Sequence, residues 1–502
     1  MGAKQAENRF RIMKYDVIII GSGLGGLECG YILSKKGYKV CILEKNAQVG
    51  GCMQSFRRGK CVFDTGFHYV GGLDEGQPLH RLFDYFDLLD LPWHKLDESA
   101  FAEVIIAGKP FFLASGHKRF VDTLADDFPH QRQQLKSYTD FLKQIGDNIF
   151  DSFTNDFGNS ALFENSAYLF LQQTVNDPLL RNILSGGSQT MELCSDKLPL
   201  YVFAQINNSF IQSTWKLKGD GSMIANKLAD YVRSRGGEII TKAKVTRLIE
   251  TDGRISSVEY NEDKQITCKY VISNAHPSQT LALIPESRNI RKLYRNRISS
   301  IPNTFGMFTV HLQLKKSVLP YLNRNIFVYE NDSIWDYKRG ASGTSEETTS
   351  ILICYRPPVE GVYMDSIDIL SPMYWDEVAR WSDTDTGKRG DDYEAFKLRK
   401  AEACIELAST RIPELNNNIE KIYTSTPLTY RDYTGTPNGS AYGVRKDYND
   451  TLGTIIVPQT QIPNLFLSGQ NLNLHGILGV SMTSFFTCAK IVGMNNLIKD
   501  FI

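Results

Sequence analysis

The clearest pattern along the chain is a change of period close to its start. Tyr15-Asp16-Val17-Ile18-Ile19-Ile20 is a short, β-branched, nearly continuous apolar run, as expected of a strand buried on both faces. It ends in Gly21-Ser22-Gly23-Leu24-Gly25-Gly26, and residues 24–36 then read as a helix with Lys35-Lys36 in its last turn and Gly37 at the C-terminal cap. Lys39 to Leu43 is a second buried strand, closed by Glu44.

Further along, Val49-Gly50-Gly51-Cys52-Met53 and Phe63-Asp64-Thr65-Gly66-Phe67-His68-Tyr69-Val70-Gly71-Gly72 are two glycine-rich turns. They read either as backbone passing close to a flat or phosphorylated ligand or as ordinary hairpin turns. Residues 78–214 change character, with amphipathic helical patterns over Leu79–Leu88, Phe120–Asp127, Leu135–Ile149 and Ala161–Thr174. A helix at about 222–235 and strands over Glu238–Ile249, Ile255–Tyr260 and Ile266–Ser273 follow, with Asp252-Gly253 as a hairpin signal. Thr304–Leu314 and Ser350–Tyr355 read as strands of a second sheet, and the polar, charged residues 382–393 as a surface loop. Asn464 to Gln470 is a last buried strand ending in glycine, and Gly479-Val480 leads into a helix at 480–497.

The predicted fold class is α/β (α+β overall). A Rossmann-like domain occupies 12–77, 215–300 and 456–502, interleaved with a helical region at 78–214 and a sheet-and-helix region at 301–455 that form the substrate side. At 502 residues the chain can bury a large core, and 56 basic against 56 acidic residues leave no charge excess to attract a nucleic acid. No apolar run is long enough to span a bilayer, and the polar first 14 residues lack a signal-peptide core. With nine cysteines, none in a CxxC pair, the expected compartment is the cytoplasm with reduced thiols. The eight histidines show no metal-ligand spacing, so no metal is expected.

The three spaced glycines have separate tasks: Gly21 makes the tight turn, Gly23 lets backbone approach a pyrophosphate, and Gly26 lets the helix pack closely on the strand. The phosphates then meet free N–H groups at a helix N-terminus. Glu44 follows Gly21 by 23 residues, close to the spacing at which an acid reaches a ribose hydroxyl. A dinucleotide is therefore expected. The chain leaves this fold at about 75 and returns at about 215 and 455, which suits an extended flavin nucleotide, FAD, better than NAD.

On these segments the chain resembles the phytoene desaturase, carotenoid isomerase and retinol saturase group of FAD-dependent, amine-oxidase-like flavoproteins. The anchors are Asp16 to Gly26, Glu44-Lys45, Gly50-Gly51, Asp64 to Gly72, Lys218 to Ala243 and Pro463 to Met482. Cys52 stands where many desaturases place Arg after the paired glycines, which fits the retinol saturase branch, as do Thr426 to Thr429 and Tyr442-Gly443. The resemblance implies that Gly21, Ser22, Gly23, Gly25 and Gly26 hold the pyrophosphate and that Glu44, with Lys45 beside it, serves the adenosine ribose. It implies that Gly51, Cys52 and Met53 line the cofactor and that Val245 presents backbone to the adenine. Gly469 and Gln470 would flank the ribityl phosphate, and Gly479, Val480 and Ser481 would bring a helix N-terminus to the flavin's pyrimidine edge.

Saturating a C=C bond needs a hydride on one carbon and a proton on the other. The resemblance implies a long apolar isoprenoid or polyene substrate, reduced as in retinol saturase. Desaturation or cis–trans isomerisation of a carotenoid is the alternative, and a non-catalytic flavin-binding protein a second. Proton-donor candidates are His68, Tyr69 and His475, with Tyr430 and Tyr442 behind them. Cys52 reads as a small residue in a tight slot or as a reactive thiol. The electron donor is open, NAD(P)H being one candidate, and the Phe-rich stretches at 141–171 suggest peripheral contact with a membrane surface.

Overall fold

The computed structural model describes residues 14–153, 160–187, 189–332, 334–336, 348–358 and 360–501. The amino-terminal residues 1–13, and 154–159 within the Phe-rich stretch, lie outside the described residues. The chain divides into two compact units, one made of residues up to 54, 222–302 and 455 onward, the other of 55–221 and 303–454.

The first unit is built on a seven-stranded sheet. Its parallel part runs Glu238–Ile240, Val40–Leu43, Lys14–Ile20 and Lys264–Ser273, the last also pairing in parallel with Leu465–Leu467. Val17, Ile18, Ile19 and Val40 to Leu43 are almost entirely buried, so the continuous apolar runs are strands covered on both sides. Arg254–Tyr260 and Val245–Thr251 complete the sheet as an antiparallel meander. Asp252 and Gly253 both adopt positive φ at its turn, as a two-residue hairpin of that twist requires. The expected strand over Glu238–Ile249 is two strands, Glu238–Ile240 and Val245–Thr251, because Lys242 turns to φ +54° between them. The helix Leu24–Lys35 lies against Ser222–Ser234 and Gly476–Val492. The C-terminal helix begins at Gly476, four residues before the expected 480, and stops where Gly493 takes φ +84°.

The second unit holds another seven-stranded sheet, ordered Ile419–Ser425, Gly306–Leu314, Ser366–Met373, Ser350–Tyr355, Asn325–Tyr329, Ala102–Ile106 and Lys109–Leu113. Every neighbour is antiparallel except Asn325–Tyr329 with Ala102–Ile106. Every residue of its strands at 306–314, 325–329, 350–355 and 366–373 is buried. That burial removes the polar–apolar alternation, which is why Asn325–Tyr329 and Ser366–Met373 gave no separate signal. The helical reading of 78–214 omitted Trp93–Lys95, Ala102–Ile106 and Lys109–Leu113, of which the last two join this sheet. The polar segment 382–393 also differs from a plain surface loop. Asp391 already starts the helix Asp391–Ser409, its three early acids complement the dipole, and Arg389 is buried.

Candidate functional site

Glycine makes the first site by removing side chains. A Cβ on Gly26 would stand 2.1 Å from the carbonyl oxygen of Gly21, so only glycine lets this helix sit so close to the strand. Gly21 itself holds φ +88° at the turn. Cβ atoms on Gly23 or Gly25 would meet the amide of Asn274 at 2.8 and 2.7 Å, and one on Gly469 the same Asn274 oxygen at 2.5 Å. Two segments more than 400 residues apart thus converge on one asparagine that sequence reasoning missed; its only signal is its place directly after the apolar strand Lys264–Ser273. The first N–H groups of Leu24–Lys35 have no acceptor within the helix, so the turn presents bare donors next to the Asn274 side chain. Backbone closes the loop further: Gly50 N–H donates to the Ser22 carbonyl, and a Cβ on Gly51 would lie 3.0 Å from Gly23 Cα.

Glu44 is buried and already serves the chain. Its Oε2 accepts from the Ser22 N–H at 2.9 Å and the Ser22 hydroxyl at 2.6 Å, and its Oε1 accepts from Asn46 N–H at 2.7 Å. A carboxylate offers about four lone-pair sites, so room remains for about one more donor, such as a ribose hydroxyl. Lys45 is exposed, and Met53 is buried. Burial pushes the Cys52 thiol up to about 11, which favours the space-filling reading over a reactive thiolate. Val245 opens its strand two residues after Ala243, whose N–H donates to the Glu44 carbonyl.

The C-terminal segment packs tightly against the rest of its unit. A Cβ on Gly479 would stand 2.3 Å from the Leu474 carbonyl oxygen, so this glycine serves close backbone packing. Val480 is 8% exposed and Gln470 half-buried. The Ser481 side chain is fully buried and its hydroxyl donates to Glu28 Oε1, with Ser484 donating to Oε2 at 2.9 Å. Burial holds the Glu28 carboxyl up at about 8, so it is a neutral acid locking two helices together at pH 7. His475 is the N-cap residue of that C-terminal helix.

The second unit carries a separate, ionisable cluster. Asp64 accepts from Arg356 at 2.6 Å and from Gly221 N–H at 2.7 Å, yet burial still pushes its carboxyl up to about 7. Lys216 is 1% exposed, donates to the Tyr355 carbonyl at 2.7 Å, and is brought down to about 8 by burial. Burial lowers His68 to about 4, so its imidazole is neutral at pH 7. Among the phenols, Tyr430 donates to the Thr65 carbonyl and Tyr442 to the Gln189 carbonyl. The buried Tyr69 hydroxyl and His68 Nε2 have no hydrogen-bond partner among the described residues. Of the proton-donor candidates, Tyr69 therefore keeps an unspent O–H, and burial raises its phenol well above the ordinary value. Cys194, Asp196 and Asp336 bring three ligand atoms within 4.8 Å, but Asp196 and Asp336 are exposed and Cys194 donates to Asp196. Among the described residues no helix is long and apolar enough to cross a membrane.

The family model for an NAD(P)-binding Rossmann-like domain matches residues 19–86, the strand–glycine–helix segment and its continuation. A search of known proteins extends the match far beyond it. The chain is 26% identical to the all-trans-retinol 13,14-reductase of Rattus norvegicus, over 99% of its own length and 89% of that protein. Along nearly its whole length the chain is similar to all-trans-retinol 13,14-reductases. It is also 24% identical to the prolycopene isomerase of Daucus carota, over 86% of the chain and 72% of that protein. Among solved structures, putrescine oxidase superposes with a TM-score of 0.61 at 15% identity, covering 96% of this chain and 99% of that one. That likeness gives the fold: a Rossmann-like dinucleotide domain interleaved with a second, mixed-sheet unit.

Proposed function

We propose that the protein is an FAD-dependent oxidoreductase that reduces a carbon–carbon double bond of a long apolar isoprenoid or polyene. The observation that carries this reading is the full-length similarity to all-trans-retinol 13,14-reductases, supported by a strand–glycine–helix turn whose helix N-terminus has free N–H groups. Isomerisation of a polyene is the second reading, favoured by the prolycopene isomerase match.

The N-terminus of Leu24–Lys35 offers its free N–H groups to the pyrophosphate; Gly26 lets that helix close on the Gly21 turn, and Gly23, Gly25 and Gly469 admit the Asn274 amide beside it. Glu44 Oε1 takes one ribose hydroxyl. When bound, the flavin supplies the hydride. The chain supplies the proton, and Tyr69 is its source: a buried neutral phenol with an uncommitted O–H. Desolvation keeps that phenol protonated until a carbanion-like centre demands the proton, and solvent restores it afterwards. His68, neutral and unpartnered at Nε2, accepts a hydrogen bond rather than giving a proton.

The test is to reconstitute the protein with FAD, reduce it without oxygen, and mix it with all-trans-retinol or with a cis-polyene. Saturation yields a product two mass units heavier and an oxidised flavin; an isomer of unchanged mass supports the second reading. Tyr69→Phe lowers saturation by roughly 100-fold or more while flavin content stays normal. Undiminished turnover in that variant removes Tyr69 from the mechanism.

A further inference from the structure

The sheet of the second unit brings together groups that stand far apart in the chain. His311 and Asp368 are direct cross-strand partners on the antiparallel pair Gly306–Leu314 and Ser366–Met373, so their side chains share one face. His311 Nδ1 lies 2.7 Å from Asp368 Oδ1. The other carboxylate oxygen, Oδ2, lies 3.8 Å from His68 Nδ1. Behind this pair His311 Nε2 meets the Ser425 hydroxyl at 3.0 Å, and the rings of Phe56 and Phe63 close over the imidazole with centroids 5.1 and 5.2 Å away. The array ends at His68 Nε2, buried and without a partner.

Burial alone would raise the Asp368 carboxyl, but His311, His68 and Arg356 outweigh it and hold it below the usual carboxylate range. At His68 burial acts first and favours the neutral ring; Asp368 opposes it, while His311, Lys216 and Arg356 reinforce it. At 3.8 Å the carboxylate makes no hydrogen bond to His68, but its negative charge favours hydrogen on the ring nitrogen turned toward it.

We propose that Asp368 and His311 are positioning residues that fix His68 as the neutral Nδ1–H tautomer, leaving its buried Nε2 as a bare hydrogen-bond acceptor for an O–H held beside it. This rests on the reading that the second unit handles the substrate. That O–H belongs either to the ligand or to a water trapped with it. The Asp368 carboxylate acts on the ring through its charge at 3.8 Å, and His311, pinned between Ser425 and Asp368, fixes the rotamer of that carboxylate.

Asp368→Asn separates this from a merely structural role. The asparagine carbonyl keeps the His311 Nδ1–H bond and turns its N–H group toward His68 Nδ1. The His68 ring then moves to the Nε2–H tautomer, and its exposed lone pair becomes a donor. Histidine-selective ¹⁵N NMR on the holoprotein at neutral pH, with the His68 signals assigned by their loss in His68→Gln, reads this directly. The expected result is an unprotonated Nε2 in the wild type, a protonated Nε2 in Asp368→Asn, and turnover reduced roughly 10- to 100-fold. His311→Asn, which keeps a side-chain N–H near the place of Nδ1, retains more turnover than His311→Ala. A polyene alcohol that shifts the Nε2 signal when the parent hydrocarbon does not assigns the O–H to the ligand; an equal response to both assigns it to water. A protonated Nε2 in the wild type overturns the proposal, as does an Asp368→Asn protein with unchanged tautomer and turnover. If that variant does not fold, the wild-type spectrum alone decides. A wild type with the expected tautomer that saturates no double bond defeats the functional reading and leaves this assignment standing.

Discussion

In the first unit the candidate ligand groups are backbone N–H donors at the start of Leu24–Lys35, set by glycines whose Cβ atoms would strike Gly21 or Asn274. In the second they are side chains: a carboxylate, two imidazoles, a lysine and a phenol stripped of water. The first arrangement holds its shape through backbone geometry. The second stores protons and tautomers, and its properties change with each charge. A dinucleotide is a constant partner that needs shape and a dipole, whereas proton chemistry needs groups whose affinities have been shifted by burial.

The widest separation between the two regions is expected from Gly26→Ala. Its new Cβ would have to displace the Gly21 carbonyl, which is backbone and cannot swing aside. The purified variant is expected to lack bound flavin altogether, read from its visible absorbance, and to lose several kcal/mol in a denaturant melt. An alanine there that binds flavin normally breaks the account of the loop. In the second unit the comparable change is Asp64→Ala, which strands Arg356 and leaves Gly221 N–H without its acceptor. The loss is about 3 kcal/mol by urea unfolding, with the first unit's flavin content unchanged.

The acid sensitivity of the second region follows from His68. Its folded value of about 4 against an ordinary 6.5 means that the unfolded chain binds the proton more readily. The neutral ring's contribution is full above pH 6.5 and is lost as pH falls toward 4. At 1.36 kcal/mol per unit it amounts to about 3 kcal/mol. Asp64, raised to about 7, works in the opposite direction, since protonating it favours the fold. The wild type is therefore compared with His68→Gln, and should lose about 3 kcal/mol more than that variant across the interval. Equal pH slopes for the two proteins contradict a buried neutral His68. The smallest effect belongs to Cys52→Ala. A space-filling thiol pushed up to about 11 takes no part in chemistry, so turnover should change less than about twofold and native Cys52 should resist alkylation.

The two regions also differ in how far the sequence reveals them. Gly21, Gly23, Gly26 and Glu44 fall within one strand–helix–strand stretch, so their spacing alone announces the loop. Even there Asn274 and Glu28 escaped notice. Asn274 comes from a distant strand, and Glu28 hides inside an otherwise apolar helix, where a charged residue is the only hint. The bond from the Ser481 hydroxyl to the buried Glu28 carboxyl was likewise invisible in the sequence, since 453 positions separate the two. The second cluster is harder, because no local spacing links His68, His311 and Asp368. Strand register joins them, and register among fully buried strands leaves no periodicity to read.

The central claim is that the protein adds hydrogen across a carbon–carbon double bond, with its proton drawn from an exchangeable group. It is tested most directly by running the reaction of the flavin-reconstituted, pre-reduced protein on all-trans-retinol in deuterated water and locating the label by mass spectrometry and NMR. The account predicts a dihydro product carrying solvent deuterium on the carbons of the former double bond, one from the proton donor and a second to the extent that the flavin N5 hydrogen has exchanged, with formation slowed in Tyr69→Phe. A recovered polyene of unchanged mass, or a product with an additional double bond, would contradict it.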